Sequence, residues 1–164
     1  MHQLGVNGFK DALSYFCEEL HRKKKFPVEI YESGVFSYVL TKKQKNRIQA
    51  ICKERCWPKN QSQGVTVYVK DINHVLKSRI QKDQFTWGEC AELMFLAYSP
   101  QSEIAFNDHK DSNHQTFILN AKKRFMVKDI AKYGGVILEV SKNNLAQVTC
   151  YDASRAKVNK ILSR

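Results

Sequence analysis

The order of the patterned segments after residue 64 constrains this chain more than any other feature. "VTVYVK" (65–70) alternates as a strand does, and "DINHVLKSRIQ" (71–81) sets Ile72, Val75, Leu76 and Ile80 at helical spacing. "TWGECAELMFLAY" (86–98) is a second helix, opened by the capping-box pair Thr86 and Glu89 and closed at Ser99-Pro100. A polar loop, "NDHKDSNH" (107–114), leads into the strand-like stretches "QTFILN", "KRFMVKDI", "GGVILEVS" and "NLAQVTCYD", separated by turn signals such as "YGG" and "KNN". "SRAKVNKIL" reads as a short final helix. Helices first and a meander after predict an α+β fold, with helices packed on one face of an antiparallel, twisted sheet. The other face is then left to solvent or ligand.

Upstream, "NGFKDALSYFCEELHRKKK" places Phe9, Leu13, Phe16 and Leu20 on one helical face, and "KKQKNRIQAICKERC" is a helix built on Ile48, Ile51 and Cys52. "FPVEIYESGVFSYVL" reads as extended segments joined at Ser33-Gly34. The breaker-rich "WPKNQSQG" (57–64) is the strongest internal boundary. It divides a mainly helical N-terminal extension, 1–60, from an α+β domain, 61–164.

The formal net charge of +11 on 164 residues points to a polyanionic partner. It divides as +6 over residues 1–60 and +5 over the rest, so a positive face of the folded body is expected rather than a basic tail. Cys17, Cys52, Cys56, Cys90 and Cys150 all sit at apolar positions, which predicts buried free thiols and a reducing compartment. No apolar run approaches the ~18 residues of a membrane span, so a soluble, cytoplasmic protein without membrane contact is expected.

Two places carry candidate chemistry. On the helix 71–81, His74, Lys77 and Arg79 stand off the buried side. An imidazole titrating near neutrality can move a proton at a ribose 2′-hydroxyl or a leaving 5′-oxygen, and the cations can stabilise charge on the transferring phosphate. On "QVTCYD" (147–152), alternation puts Val148 and Cys150 on one side and Gln147, Thr149 and Tyr151 on the other. A threonine hydroxyl can hold a phosphate oxygen, and a tyrosine can stack on a base. Taken separately, a solvated helix edge and ordinary strand propensity are the simpler account of these residues, and only the two halves together point to chemistry.

The succession of strand, His-bearing helix, second helix and antiparallel strands, with "VYVKDINHVLKSRI" early and Thr-x-Tyr late, resembles the barnase–EndoU–colicin–RelE (BECR) superfamily of ribonucleases. It is most similar to the toxin domains of contact-dependent growth inhibition systems and to phage BECR domains. The resemblance covers residues 65–164. It implies a metal-independent endoribonuclease, a toxin-like hydrolase needing no cofactor, that cleaves RNA, with tRNA a candidate target, by 2′-oxygen attack to leave a 2′,3′-cyclic phosphate. It implies His74 as general acid/base, Arg79 or Lys77 as the phosphate-stabilising cation with Lys82 as a further candidate, and Thr149 and Tyr151 as the phosphate-positioning pair. Acting in a target cell's cytosol, such a toxin would have an acidic immunity protein or antitoxin over its basic face.

Other readings use other residues. A basic RNA- or DNA-binding module fits the composition as well as a nuclease does. A metal-dependent DNA nuclease would draw on Asp108, His109, Asp111 and His114 of the 107–114 loop, whose spacing matches no firm ligand pattern. Glu139 and Lys142 of "LEVSK" are three apart and fall on opposite faces of a regular strand. A nucleotide-using transferase would need a Gly-rich phosphate loop that the chain lacks.

Overall fold

The computed structural model describes residues 2–3, 6–108, 115–141 and 144–163. Along the chain these form β1 (His2–Gln3), α1 (Val6–His21), α2 (Val28–Tyr31), β2 (Gly34–Val39), α3 (Lys42–Glu54), β3 (Gly64–Tyr68), α4 (Val69–Asp83), α5 (Trp87–Ala97), β4 (Glu103–Phe106), β5 (Thr116–Asn120), β6 (Phe125–Val127), β7 (Ile130–Ser141), β8 (Asn144–Ala153) and α6 (Arg155–Leu162). The fold is α+β. The sheet runs β1-β2-β3-β8-β7-β5-β4, with β6 paired to the start of β7.

The helices begin where the side chains dictate. Thr86 and Glu89 close the expected capping box on α5, and Thr41 and Gln44 close a second one on α3. Ser154 caps α6 through the Lys157 amide. The β6–β7 hairpin turns on Lys128 and Asp129, both in the left-handed region (φ 49° and 63°), as a two-residue turn compatible with strand twist requires.

One core holds the chain together. Leu13 and Cys17 of α1, Ile48 and Ile51 of α3, Ile72 and Val75 of α4, and Leu93 and Met94 of α5 pack with Val136, Leu138, Leu145 and Cys150 from the sheet. Residues 1–60 therefore do not stand apart from the rest. They supply β1 and β2 to the sheet and α1 and α3 to its core, and 57–63 belongs to the connection between α3 and β3. The segment expected to be extended around 28–31 is instead the single helical turn α2.

Two details of the expected sheet differ. It is mixed, because β3 runs parallel to β8 and β1 parallel to β2. The helices do not all share one face either. α1, α3, α4 and α5 cover the helical face. α6 folds back under the sheet, where Ile161 packs with Ala105 and Ile118.

"YGG" proves to be mid-strand rather than a turn: Gly134 and Gly135 pair with Asp152 and Tyr151 inside β7. A Cβ on Gly134 would lie 2.2 Å from the Leu93 carbonyl oxygen on the helical face, and one on Gly135 would lie 2.8 Å from the Tyr151 ring on the other. Both glycines are there for close approach, not for a bend. Cys17, Cys52, Cys90 and Cys150 are buried as expected, but Cys56 is exposed, just past the end of α3. Burial raises the Cys17 and Cys150 thiols far above their usual range and pushes Cys90 up to about 12, so these three are inert.

Candidate nucleic-acid interface

The register of β8 decides what its residues can do. Ile137 pairs with Thr149 and Leu138 with Gln147, so Val148 is the extra residue of a bulge. Beyond it the alternation flips. Gln147 thus joins Leu145 and Cys150 on the helical face, fully buried, where it accepts a 2.6 Å hydrogen bond from the Tyr98 hydroxyl and donates to Met94 Sδ. The expected grouping of Gln147 with Thr149 and Tyr151 does not hold.

Thr149 and Tyr151 point to the opposite face. Thr149 continues the row Ala105–Ile118–Ile137. Tyr151 lies on Gly135, packs with the Ile161 cluster, and carries the Lys157 ammonium 4.6 Å above its ring. α4 is on the helical face, where Ile72, Val75 and Leu76 enter the main core. His74 and Lys77 project from the exposed side of α4. The sheet therefore stands between His74 and the Thr149–Tyr151 pair, and the four side chains do not line one cleft.

Arg79 is no solvent-facing cation. It pairs with Asp83 one turn on, and its Nη1 reaches Asp152 Oδ1 at 3.1 Å, while Lys132 holds the other Asp152 oxygen at 3.1 Å. Burial works to raise the Asp152 carboxyl, but the Lys132 hydrogen bond and the two cationic charges outweigh it and hold the pKa below the usual carboxylate value. The network ties α4, β7 and β8 together at one end of the sheet.

That end collects cations. The C-terminus of α4 brings Lys82, the connection from β5 to β6 brings Lys122, Lys123 and Arg124, the hairpin tip brings Lys128, and α6 brings Arg155 and Lys157. Lys128 Nζ meets Gln84 Oε1 at 3.4 Å, which seats the hairpin against the end of α4. Arg155 lies 5.5 Å from the centre of the Tyr133 ring. Lys82, Lys123 and Arg124 are exposed and make no ion pair among the described residues. Of the residues singled out from sequence, Lys82 belongs to this surface. The aromatic and cationic partners Tyr133, Arg155 and Lys157 were missed; the signal for them is the Arg/Lys spacing of "SRAKVNK" after a Tyr-bearing strand.

Where β3 and β8 part beside the Val148 bulge, the charge has the opposite sign. A cleft of about 470 Å³ beside the Val148 bulge is lined by Glu32, Tyr68, Lys70, Asp71 and Glu139 among others. Among the described residues three carboxylates face one ammonium there, an arrangement that does not favour a polyanion in this cleft. Burial, together with Glu139 and Glu32, pushes the Asp71 carboxyl up to about 6 against the pull of Lys70. Unfolded, it ionises near 3.8. Its charge therefore opposes folding above about pH 6 and not below about pH 4. Asp71→Asn is expected to add about 1 kcal/mol of stability at pH 8 and close to nothing at pH 4, the full linkage value being reduced because the carboxyl is only half-buried. Thermal melts of both proteins at the two pH values check this.

Of the 107–114 loop, Asn107 and Asp108 are described, whereas His109, Asp111 and His114 lie outside the described residues, as does Lys142. Among the described residues no group of three or more His, Cys, Asp or Glu side chains is placed to hold a metal ion. No helix among them is long and apolar enough to cross a membrane. No protein-family model matches the chain, and no curated protein or solved structure is found similar to it.

Proposed function

We propose that this chain binds nucleic acid, RNA first, through phosphate contacts at its cation-rich end. The observation that carries the reading is the convergence of Lys82, Lys123, Arg124, Arg155 and Lys157 from three separate parts of the chain onto one end of the sheet, without acidic partners among the described residues. The overall charge of +11 and the resemblance to an RNA-directed superfamily support it. Binding without cleavage is the form the geometry favours, because a His74–Thr149–Tyr151 ribonuclease needs groups on both sides of the sheet to act on one phosphate.

Fluorescence anisotropy with a labelled 20-nucleotide RNA in EDTA tests it. Five phosphate contacts predict a log–log salt slope of about −3.5, which is about a hundredfold loss of affinity between 50 and 200 mM salt. The double reversal Lys123→Glu/Arg124→Glu should flatten that slope by about 1.4 and weaken binding at every salt concentration. Binding that ignores both salt and the double reversal rules out this surface. RNA cut by the unmutated protein but not by His74→Ala restores the ribonuclease in its place.

A further inference from the structure

The cation-rich end continues, through Lys123, into a groove with a partly apolar lining. It holds about 580 Å³ and is lined by Phe95, Leu96, Pro100 and Gln101 from the end of α5 and by Lys122 and Lys123 from the opposite wall. That size falls within the range of small-molecule sites. We infer that this groove captures an unstacked base of single-stranded nucleic acid, with the neighbouring phosphate on Lys123. The inference rests on the nucleic-acid reading and makes it more specific.

The chemistry of the lining is that of a nucleotide. Phe95 offers an aromatic surface at the groove and already has a cation beside it, the Lys10 ammonium 5.4 Å from the ring centre and held by Glu92 at 3.7 Å. Base stacking on such a ring tolerates any sequence. Polar groups for a base edge are also present. Gln101 accepts from the Ser99 hydroxyl at 2.6 Å, leaving its amide NH₂ to donate. Pro100 has no N–H to return to the Leu96 carbonyl four residues back, so that acceptor is not closed within the helix. One wall thus presents both a donor and an acceptor.

The charge pattern separates a nucleotide from other amphipathic ligands. Lys122 is tied to Glu103 at 2.6 Å and fixes the rim, while Lys123, next in the chain, makes no ion pair among the described residues. Lys123 and Arg124 then continue from the groove to the cation-rich end, so a strand whose base enters the groove has its next phosphates on the proposed surface. An acyl chain would fill the apolar floor but leave Gln101 and the Leu96 carbonyl without partners. An acidic peptide would satisfy the lysines but offers no flat ring to Phe95.

The test compares a 20-nucleotide oligo(A) RNA with a 20-base-pair RNA duplex, on the unmutated chain and on Phe95→Ala. The expected result is at least tenfold tighter binding of the single strand, lost by about tenfold in Phe95→Ala while duplex affinity stays within about twofold. Ultraviolet cross-linking of oligo(A) to the unmutated protein, read by peptide mapping, does not depend on the variant folding and should mark residues 95–101. Equal binding of single strand and duplex, with cross-links confined to α6 and the hairpin, overturns the groove but leaves the phosphate surface standing. Protection of 95–101 by poly(Glu) and not by oligo(A) overturns it in favour of an acidic peptide. No binding of either RNA overturns the nucleic-acid reading itself.

Discussion

Gly134→Ala is expected to cost at least ~3 kcal/mol, the upper end of what overpacking a core does. The added methyl would sit 2.2 Å from the Leu93 carbonyl oxygen and 3.2 Å from its carbon, both backbone atoms of α5. Backbone in the middle of a helix cannot swing aside as a side chain can. To accept the methyl, α5 must lift from β7, and Leu93, Met94, Cys90 and Ala97, all buried in the main core, lift with it. A chain of this size loses about 10 °C of melting temperature for such a change. Two other glycines calibrate the measurement. At Gly135 the obstacle at 2.8 Å is the Tyr151 ring, which can tilt, so Gly135→Ala should cost about 1–2 kcal/mol. At Gly88 the nearest atom is the Thr86 hydroxyl oxygen at 3.9 Å, and Gly88→Ala should stabilise α5 by about 0.5–1 kcal/mol. Melting the three variants side by side checks the ranking; a Gly134→Ala protein as stable as Gly88→Ala would show that α5 does not press on β7 there.

These glycines also mark how far local pattern reaches. A double glycine between strand-like runs carries the same local signature whether it bends the chain or admits a helix, and only the arrival of α5 distinguishes the two. Features that depend on neighbours along the chain were legible: the Thr86–Glu89 box, the buried stripe Ile72–Val75–Leu76, and the α+β order itself. The bulge at Val148 was legible in principle. Leu145 and Cys150 are five apart, and two core residues at an odd spacing cannot share a face of a regular strand. Missing it misplaces Gln147 and hides the polar contact to Tyr98 at the centre of the core. β4 was missed because "EIAF" is only four residues long and its pattern is settled by pairing with β5. The segregation of charge could not be read along the chain at all. Glu32, Asp71 and Glu139 come from three distant segments to make one acidic cleft, as the cations do to make the basic end.

Arg79 is the residue for which a catalytic and a structural role predict opposite outcomes. Its side chain is 14% exposed and the Asp152 side chain 12%, so their ion pair is largely withdrawn from water. Removing the guanidinium strands Asp83 and leaves Asp152 with Lys132 alone. Breaking a pair at this depth costs about 3 kcal/mol, because the carboxylates stay buried with less to balance them. Arg79→Lys should recover only part of this, since one ammonium cannot span two carboxylates as a guanidinium does. The loss should also depend on pH. The Asp152 carboxyl is held below its unfolded value of 3.8, so its stabilising contribution is present above that pH and disappears as the pH falls through the folded value. The gap between the unmutated protein and Arg79→Ala should therefore be full at pH 7 and narrow below about pH 4. Denaturant titrations across that range measure it. Coupling is read from Arg79→Met with Asp152→Asn, where the double variant should be more stable than the two single losses summed. An Arg79→Ala protein that melts with the unmutated chain at pH 7 yet loses the proposed RNA binding would return Arg79 to the ligand and remove it from the frame that holds α4 to β8.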